Sequence, residues 1–229
     1  ANAVGTVLVG FGSGAALTSG AGNVAVGYQA LAVATTESLS TAVGYQALAA
    51  NVDGTKNTAV GYRAMYDTNY GTTSDSSQQN VFVGYLAGGG TWGSDATSNT
   101  NTAVGASSLS GALEGCNDNV ALGSYTLQSM TGGVNNTALG YNAGQANLTG
   151  DYNVFIGSNC GDGTTDVDKT VIIGANAGSA VMTPTTSGAD GTVAIGYGSA
   201  QVLTSGIGNT YIGYLTGSLQ TTGDYNIGI

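Results

Sequence analysis

One short block, Asn-(Thr/Val)-(Ala/Phe)-(Val/Ile/Leu)-Gly-Tyr, recurs along this chain. Its glycine stands at Gly10, Gly27, Gly44, Gly61, Gly84, Gly105, Gly123, Gly140, Gly157, Gly174, Gly196 and Gly213. The intervals are 17, 17, 17, 23, 21, 18, 17, 17, 17, 22 and 17 residues. A period this short and regular marks a stacked repeat, because one unit cannot bury its own apolar face. The blocks are rich in Gly and β-branched residues, and no 3.6-residue apolar period survives across a repeat, so helices are a poor alternative. The reading is an all-β parallel solenoid of about 13 stacked 17-residue coils, forming one domain over residues 1–229. The last block, Gly223 to Ile229, stops one residue short of the expected glycine, which predicts a fragment of a longer chain.

Each column of the repeat carries its own chemistry. The residue before the glycine is a large aliphatic, such as Val26, Val60, Leu122, Ile156 or Ile195. Two residues earlier stands Val or Thr, as at Val24, Thr58 and Thr137. Strand side chains alternate between faces, so these two columns share a face, expected to be the inside of the coil. The column between them, with Ala25, Ala42, Phe82 and Phe155, is then expected to face outward as an apolar stripe. Such a stripe exceeds what soluble monomers usually expose and predicts self-association, with three-fold symmetry the best guess. The alternative is that another wall of the same chain covers it. Asn23, Asn57, Asn80 and Asn101 stand four residues before Gly27, Gly61, Gly84 and Gly105, where stacked amides can form a ladder or satisfy turn backbone groups. Three residues after the glycine the side chain is small; the next position alternates between Leu or Met and Gly or Ala, and reads as a second inward-facing strand.

Composition narrows the function classes. Thirteen acids against three bases give a net charge of −10, and Lys56, Arg63 and Lys169 form no patch in the sequence. Nucleic acid and anionic membranes both favour clustered Lys and Arg, so neither is an expected partner. No apolar run approaches the roughly 20 residues needed to span a bilayer. Histidine is absent, and no convergent carboxylates or Cys pair can be aligned for acid–base or metal catalysis, so no enzyme, cofactor or metal is predicted.

The blocks Asn23–Leu31, Thr41–Leu48 and Asn57–Tyr62 resemble the "NTAVGYQAL" repeats of phage tail-fibre proteins and, more distantly, the head repeats of trimeric autotransporter adhesins. That resemblance implies a trimeric, left-handed parallel β-roll with a spacing or binding role at a virion or cell surface. Adhesin heads use a shorter period of about 14 residues and lack the Tyr after the glycine, which favours the fibre group. The expected function is a structural segment of a virion tail fibre or appendage that spaces or presents host-attachment surfaces. A bacterial cell-surface adhesin head is the alternative. An ice-binding solenoid is disfavoured because Thr41, Thr58 and Thr102 alternate with Val on a face read as inward. A polysaccharide-cleaving β-helix is disfavoured for want of aligned carboxylates.

Three insertions, near 66–79, 89–100 and 179–191, map to loops, which often carry binding in solenoids. The first two lie in consecutive turns and hold Tyr66, Tyr70, Trp92, Asp67, Asp75 and Asp95. Exposed aromatics beside carboxylates suit sugar rings and their hydroxyls, so this cluster is the candidate contact for a host glycan or receptor. Loop drift without a partner is the alternative. The glycines Gly27, Gly44, Gly61 and Gly84 and the asparagines above are read as structural. The tyrosine column Tyr28, Tyr45, Tyr62, Tyr85, Tyr141, Tyr197 and Tyr214 is read as cross-turn stacking rather than a sugar ladder. Cys116 and Cys160 occupy different columns about two turns apart, too far for an easy disulfide. Asp162, Asp166 and Asp168 read as solvated acids rather than a calcium site.

Overall fold

The structure is a computed structural model and describes residues 4–52, 54–68, 77–92, 96–180 and 188–229. It falls into two compact units, Ala1–Asp118 and Asn119–Ile229. The first holds β1 (Val7–Val9), β2 (Val24–Val26), β3 (Thr41–Val43), β4 (Thr58–Val60), β5 (Val81–Val83) and β6 (Thr102–Val104). The second holds β7 (Val120–Leu122), β8 (Thr137–Leu139), β9 (Val154–Ile156), β10 (Val171–Ile173), β11 (Val193–Ile195), β12 (Thr210–Ile212) and β13 (Ile227–Gly228). Within each unit the strands pair in chain order, all parallel. The register matches the repeat: Val24 lies beside Thr41, Ala25 beside Ala42 and Val26 beside Val43. The protein is thus an all-β parallel solenoid of stacked coils, with no helix among the described residues.

The glycine that ends each strand is required by its surroundings. Gly27 has φ +136°, and a Cβ there would strike the carbonyl oxygen of Gly44 in the next coil. The chain then turns through Tyr28–Leu31 with left-handed φ values at two non-glycine residues, Gln29 (51°) and Leu31 (55°). Such a conformation costs of order 1 kcal/mol or more per residue and persists only where surroundings enforce it. Here hydrogen bonds to both neighbouring coils hold it. Gly27 N–H donates to Val9 O (2.8 Å) and Gln29 N–H to Phe11 O (2.9 Å) on one side, while Leu31 N–H donates to Ala47 O (3.0 Å) on the other. Ala30 and Leu31 do face the interior, but they sit in this turn rather than in the second strand expected from the sequence.

The faces of the strand are inverted relative to the expectation. Ala25, Ala42, Ala59, Phe82, Phe155 and Ile172 are fully buried, whereas Val24, Val26 and their counterparts are half-buried or exposed on the outer face. The physical reason is volume. The column two before the glycine shares the coil interior with the column four after it, and in most coils one member of the pair is large; Ala138 with Gly144 and Ala194 with Ala200 are small at both. Ala25 faces Leu31, Ala42 faces Leu48 and Ala59 faces Met65, while Phe82 accompanies Gly88 and Phe155 accompanies Gly161. A Cβ on Gly161 would stand 2.5 Å from the Phe155 ring. A second wide aliphatic at every strand would overfill so narrow a coil.

The buried asparagines hold successive coils together. Asn80 Nδ2 donates to Ser98 O (2.9 Å) and Asn57 Oδ1 (3.2 Å), while its own Oδ1 accepts from the backbone N–H of Asn101 (2.9 Å). In the second unit Asn136 Nδ2 donates to Gly150 O (2.8 Å) and Asn119 Oδ1 (3.0 Å), and Asn153 N–H donates to Asn136 Oδ1 (3.0 Å). The column is at once an amide ladder and the partner of turn carbonyls, so these buried polar groups are satisfied. Ser40 and Thr170 replace Asn at two rungs and still accept or donate in the same line, whereas the buried Oγ1 of Thr192, a third replacement, has no hydrogen-bond partner.

Candidate functional site on the outer face of the repeat

Three columns form the outer surface of the strand wall in each unit. In the first unit they are Val24, Thr41, Thr58, Val81 and Thr102; Val26, Val43, Val60, Val83 and Val104; and Phe11, Tyr28, Tyr45, Tyr62 and Tyr85. In the second, Val and Thr again fill the first column, and Leu122, Leu139, Ile156, Ile173, Ile195 and Ile212 fill the next. No described member of these columns is charged, although the chain carries −10 overall. The stripe expected to face outward, with Ala25, Ala42, Phe82 and Phe155, is instead covered by the same chain, as the alternative reading had it; the outward face is lined by a different set, the β-branched and larger aliphatics. Thr41, Thr58, Thr102, Thr137 and Thr210 also face outward, so their supposed burial does not count against an ice-binding surface. Their interruption by Val24, Val81 and Val120 still does.

The tyrosine column is stacked. Ring centroids lie 5.6 Å apart for Phe11–Tyr28, 5.1 Å for Tyr28–Tyr45, 5.3 Å for Tyr45–Tyr62 and 5.2 Å for Tyr62–Tyr85, with interplanar angles between 9° and 16°. Tyr197 and Tyr214 stack likewise at 5.7 Å in the second unit. Each inner ring has a neighbour over both faces, which leaves no free face for a sugar and exposes only its edge. A polar line runs beside the rings, in which Gln46 Nε2 donates to Gln29 Oε1 (2.9 Å) and Arg63 Nε donates to Gln46 Oε1 (2.9 Å).

The loop cluster changes character. Trp92 is buried, with its indole N–H donating to Gly88 O (3.0 Å) and its ring tilted against Phe82 at 5.7 Å. It is a core residue, so it does not serve as the exposed sugar platform expected from the sequence. Its ring against Phe82 and its indole N–H on the Gly88 carbonyl hold this residue of the 89–100 insertion in the core. Tyr66 and Asp67 remain partly exposed. The Arg63 guanidinium lies 4.5 Å from the centre of the Tyr66 ring. The Asp67 carboxylate accepts from Thr91 Oγ1 (3.1 Å), and Asp67 and Thr91 form a parallel bridge. The flanks of the first two insertions are thus side by side. Tyr70, Asp75 and Asp95 lie outside the described residues.

Three of the remaining acids serve the backbone. Asp151 Oδ1 accepts from Val134 N–H (2.8 Å), Asp168 Oδ1 from Asp151 N–H (2.8 Å) and Asp190 Oδ1 from Asp168 N–H (3.0 Å). Asp166 accepts from Thr149 Oγ1 (2.7 Å), so Asp162, Asp166 and Asp168 occupy separate columns and do not converge. Among the described residues no group of three or more Cys, Asp or Glu side chains is placed to hold a metal ion. Desolvation raises the Asp162 carboxyl above its ordinary range, and its Oδ1 is buried without a hydrogen-bond partner. Cys160 is buried with its thiol donating to Ile172 O (2.9 Å), and burial pushes it up to about 12. Both cysteines are free thiols.

Comparison of the chain with protein-family models, curated proteins and solved structures returns no match.

The sequence contained a signal for the inverted faces. The pairing of Phe82 with Gly88, Phe155 with Gly161 and Tyr211 with Gly217, against Ala25 with Leu31 and Ala42 with Leu48, is a size exchange between two columns. Columns that exchange volume share an interior.

Proposed function

We propose that this chain is a structural segment of a virion tail fibre or comparable appendage, which spaces or presents host-attachment surfaces as a homotrimer at the virion surface. The observation that carries the reading is the outer strand face. In a chain of net charge −10, the two outward strand columns hold only Val, Thr, Ile and Leu and stay uncharged rung after rung. A solvent-facing strand surface is ordinarily polar, so a face of this kind fits burial against further copies of the same chain. Repetition suits such an interface, because each added coil lengthens the contact without new chemistry. On this reading the partly exposed Tyr66 and Asp67, at the edge of the insertion pair, would contribute to contact with a host glycan or receptor.

Light scattering on the purified segment at micromolar concentration tests the assembly, with a trimer expected. Replacing Val43 and Val60 by Asp should yield monomers with an unchanged far-ultraviolet spectrum. A monomeric wild-type chain would overturn the assembly. Antibodies against the segment should decorate tail fibres of the virions that encode it; labelling of a bacterial envelope instead would overturn the fibre assignment.

A further inference from the structure

The tyrosine ladder of the first unit presents an exposed phenol edge beside the strand face and beyond its stacked ring faces. Tyr28, Tyr45, Tyr62 and Tyr85 stand one above another, with centroids 5.1 to 5.3 Å apart and rings within 12° of parallel. They are nonetheless 41% to 56% exposed. Stacking covers the ring faces, so the exposed part is the phenol edge, which carries the oxygen and its ortho carbons. The rungs are fixed relative to each other by the parallel register of β2 to β5, so neighbouring phenols cannot drift apart. Rotation about the Cβ–Cγ bond, a broad and soft torsion, brings an ortho carbon of one ring toward an ortho carbon of the next.

We propose that this ladder is a site of oxidative dityrosine cross-linking that staples successive coils of one chain. Two neighbouring phenols each lose one electron and one proton to give phenoxyl radicals. The radicals join by one carbon–carbon bond between positions ortho to the oxygens, and the two ortho hydrogens shift to the oxygens to restore both phenols. A peroxide is the oxidant: hydrogen peroxide takes the two electrons and the two protons and becomes two molecules of water. Each staple closes a loop of one repeat, Tyr28 to Tyr45 or Tyr45 to Tyr62, and so restricts the unfolded chain in the manner of a disulfide.

The test treats the folded chain with hydrogen peroxide and a haem peroxidase, then denatures it and digests it after Glu and after Lys and Arg. Cleavage at Glu37, Lys56 and Arg63 places Tyr28, Tyr45, Tyr62 and Tyr85 on four different peptides. The expected products are dityrosine-linked peptides joining adjacent rungs, in severalfold excess over any link through Tyr152 or Tyr225. Those two are exposed but have no stacked ring among the described residues. In Tyr45→Phe, which places in the column the residue that Phe11 already provides, both links through position 45 should vanish while the Tyr62–Tyr85 link persists. Ordinary and nitrogen-15 chains, mixed in denaturant and refolded together, distinguish staples from bridges between chains. Links carrying a single isotope support the proposal. A hybrid fraction near that of random pairing, links dominated by Tyr152 or Tyr225, or no dityrosine at all would overturn it.

Discussion

Phe82 and Gly88 occupy one volume: a Cβ on Gly88 would stand 2.5 Å from the Phe82 ring that fills the coil above it. Their counterparts one coil earlier, Ala59 and Met65, divide the same space the other way. At these coils one large side chain fills the space between the two columns, contributed either by the strand or by the turn that follows it.

This exchange makes the two positions non-additive. Phe82→Ala alone should cost about 3–5 kcal/mol through the cavity it leaves. Gly88→Leu alone should cost about 1–3 kcal/mol or more by overpacking, since the ring has nowhere to go. The double substitution should recover much of the loss, because Leu48 and Leu109 adopt the same left-handed backbone at that column. Urea unfolding of the four proteins measures the coupling, and strictly additive losses would contradict the shared volume.

Asn80 is buried and bonded to the coils on both sides. Asn80→Ala takes away the partner of the Ser98 carbonyl and of the Asn101 backbone N–H in the interior, at about 1–3 kcal/mol for each unsatisfied group. We expect a loss of roughly 3 kcal/mol or more in denaturant unfolding. Asn80→Ser should lose less, since Ser40 fills an equivalent rung and accepts from Asn57 N–H at 3.1 Å.

Trp92 is the single tryptophan and is 2% exposed. Its fluorescence should be blue-shifted and insensitive to iodide in the folded protein, then shift red and quench on unfolding. Trp92→Ala should destabilise by about 3–5 kcal/mol. Emission typical of a hydrated indole in the native state would disprove the core assignment.

Alkaline pH should weaken the fold between about 9 and 12. The Cys160 thiol titrates near 9.0 when unfolded and is pushed up to about 12 by burial in the folded chain. In that interval the unfolded state has released a proton that the native state retains, so stability is full below the lower value and falls as pH rises toward the upper one. Burial raises the Tyr211 hydroxyl above 10.0 as well, so part of the slope belongs to it. Cys160→Ala, which places the residue found at Ala30 and Ala143 in that column, should flatten the decline measured by thermal unfolding across this range. The thiol should also resist alkylation at pH 8 until the protein is unfolded.

The architecture was legible in the one-dimensional pattern. The spacing of Gly27, Gly44 and Gly61 gave the coil length, because a glycine whose missing Cβ makes room for the next coil's carbonyl must recur once per turn. The Asn23, Asn57 and Asn80 column gave the ladder, because a buried amide is tolerated only where a partner repeats beside it. The tyrosines after the glycines gave the stack.

What only the tertiary structure decided was direction. Alternation requires that Ala25 face away from Val24 and Val26, but both sets are apolar, so hydrophobicity could not say which faced in. Volume decided it, because the interior must also hold Leu31 from the following turn, and that contact spans the coil rather than the strand. Trp92 illustrates the same limit. Its place in an insertion suggested a surface loop, while contact with the Phe82 ring and a hydrogen bond to the Gly88 carbonyl hold it in the core. Periodicity specifies which residues share a face; the filling of a closed volume specifies which face is inside.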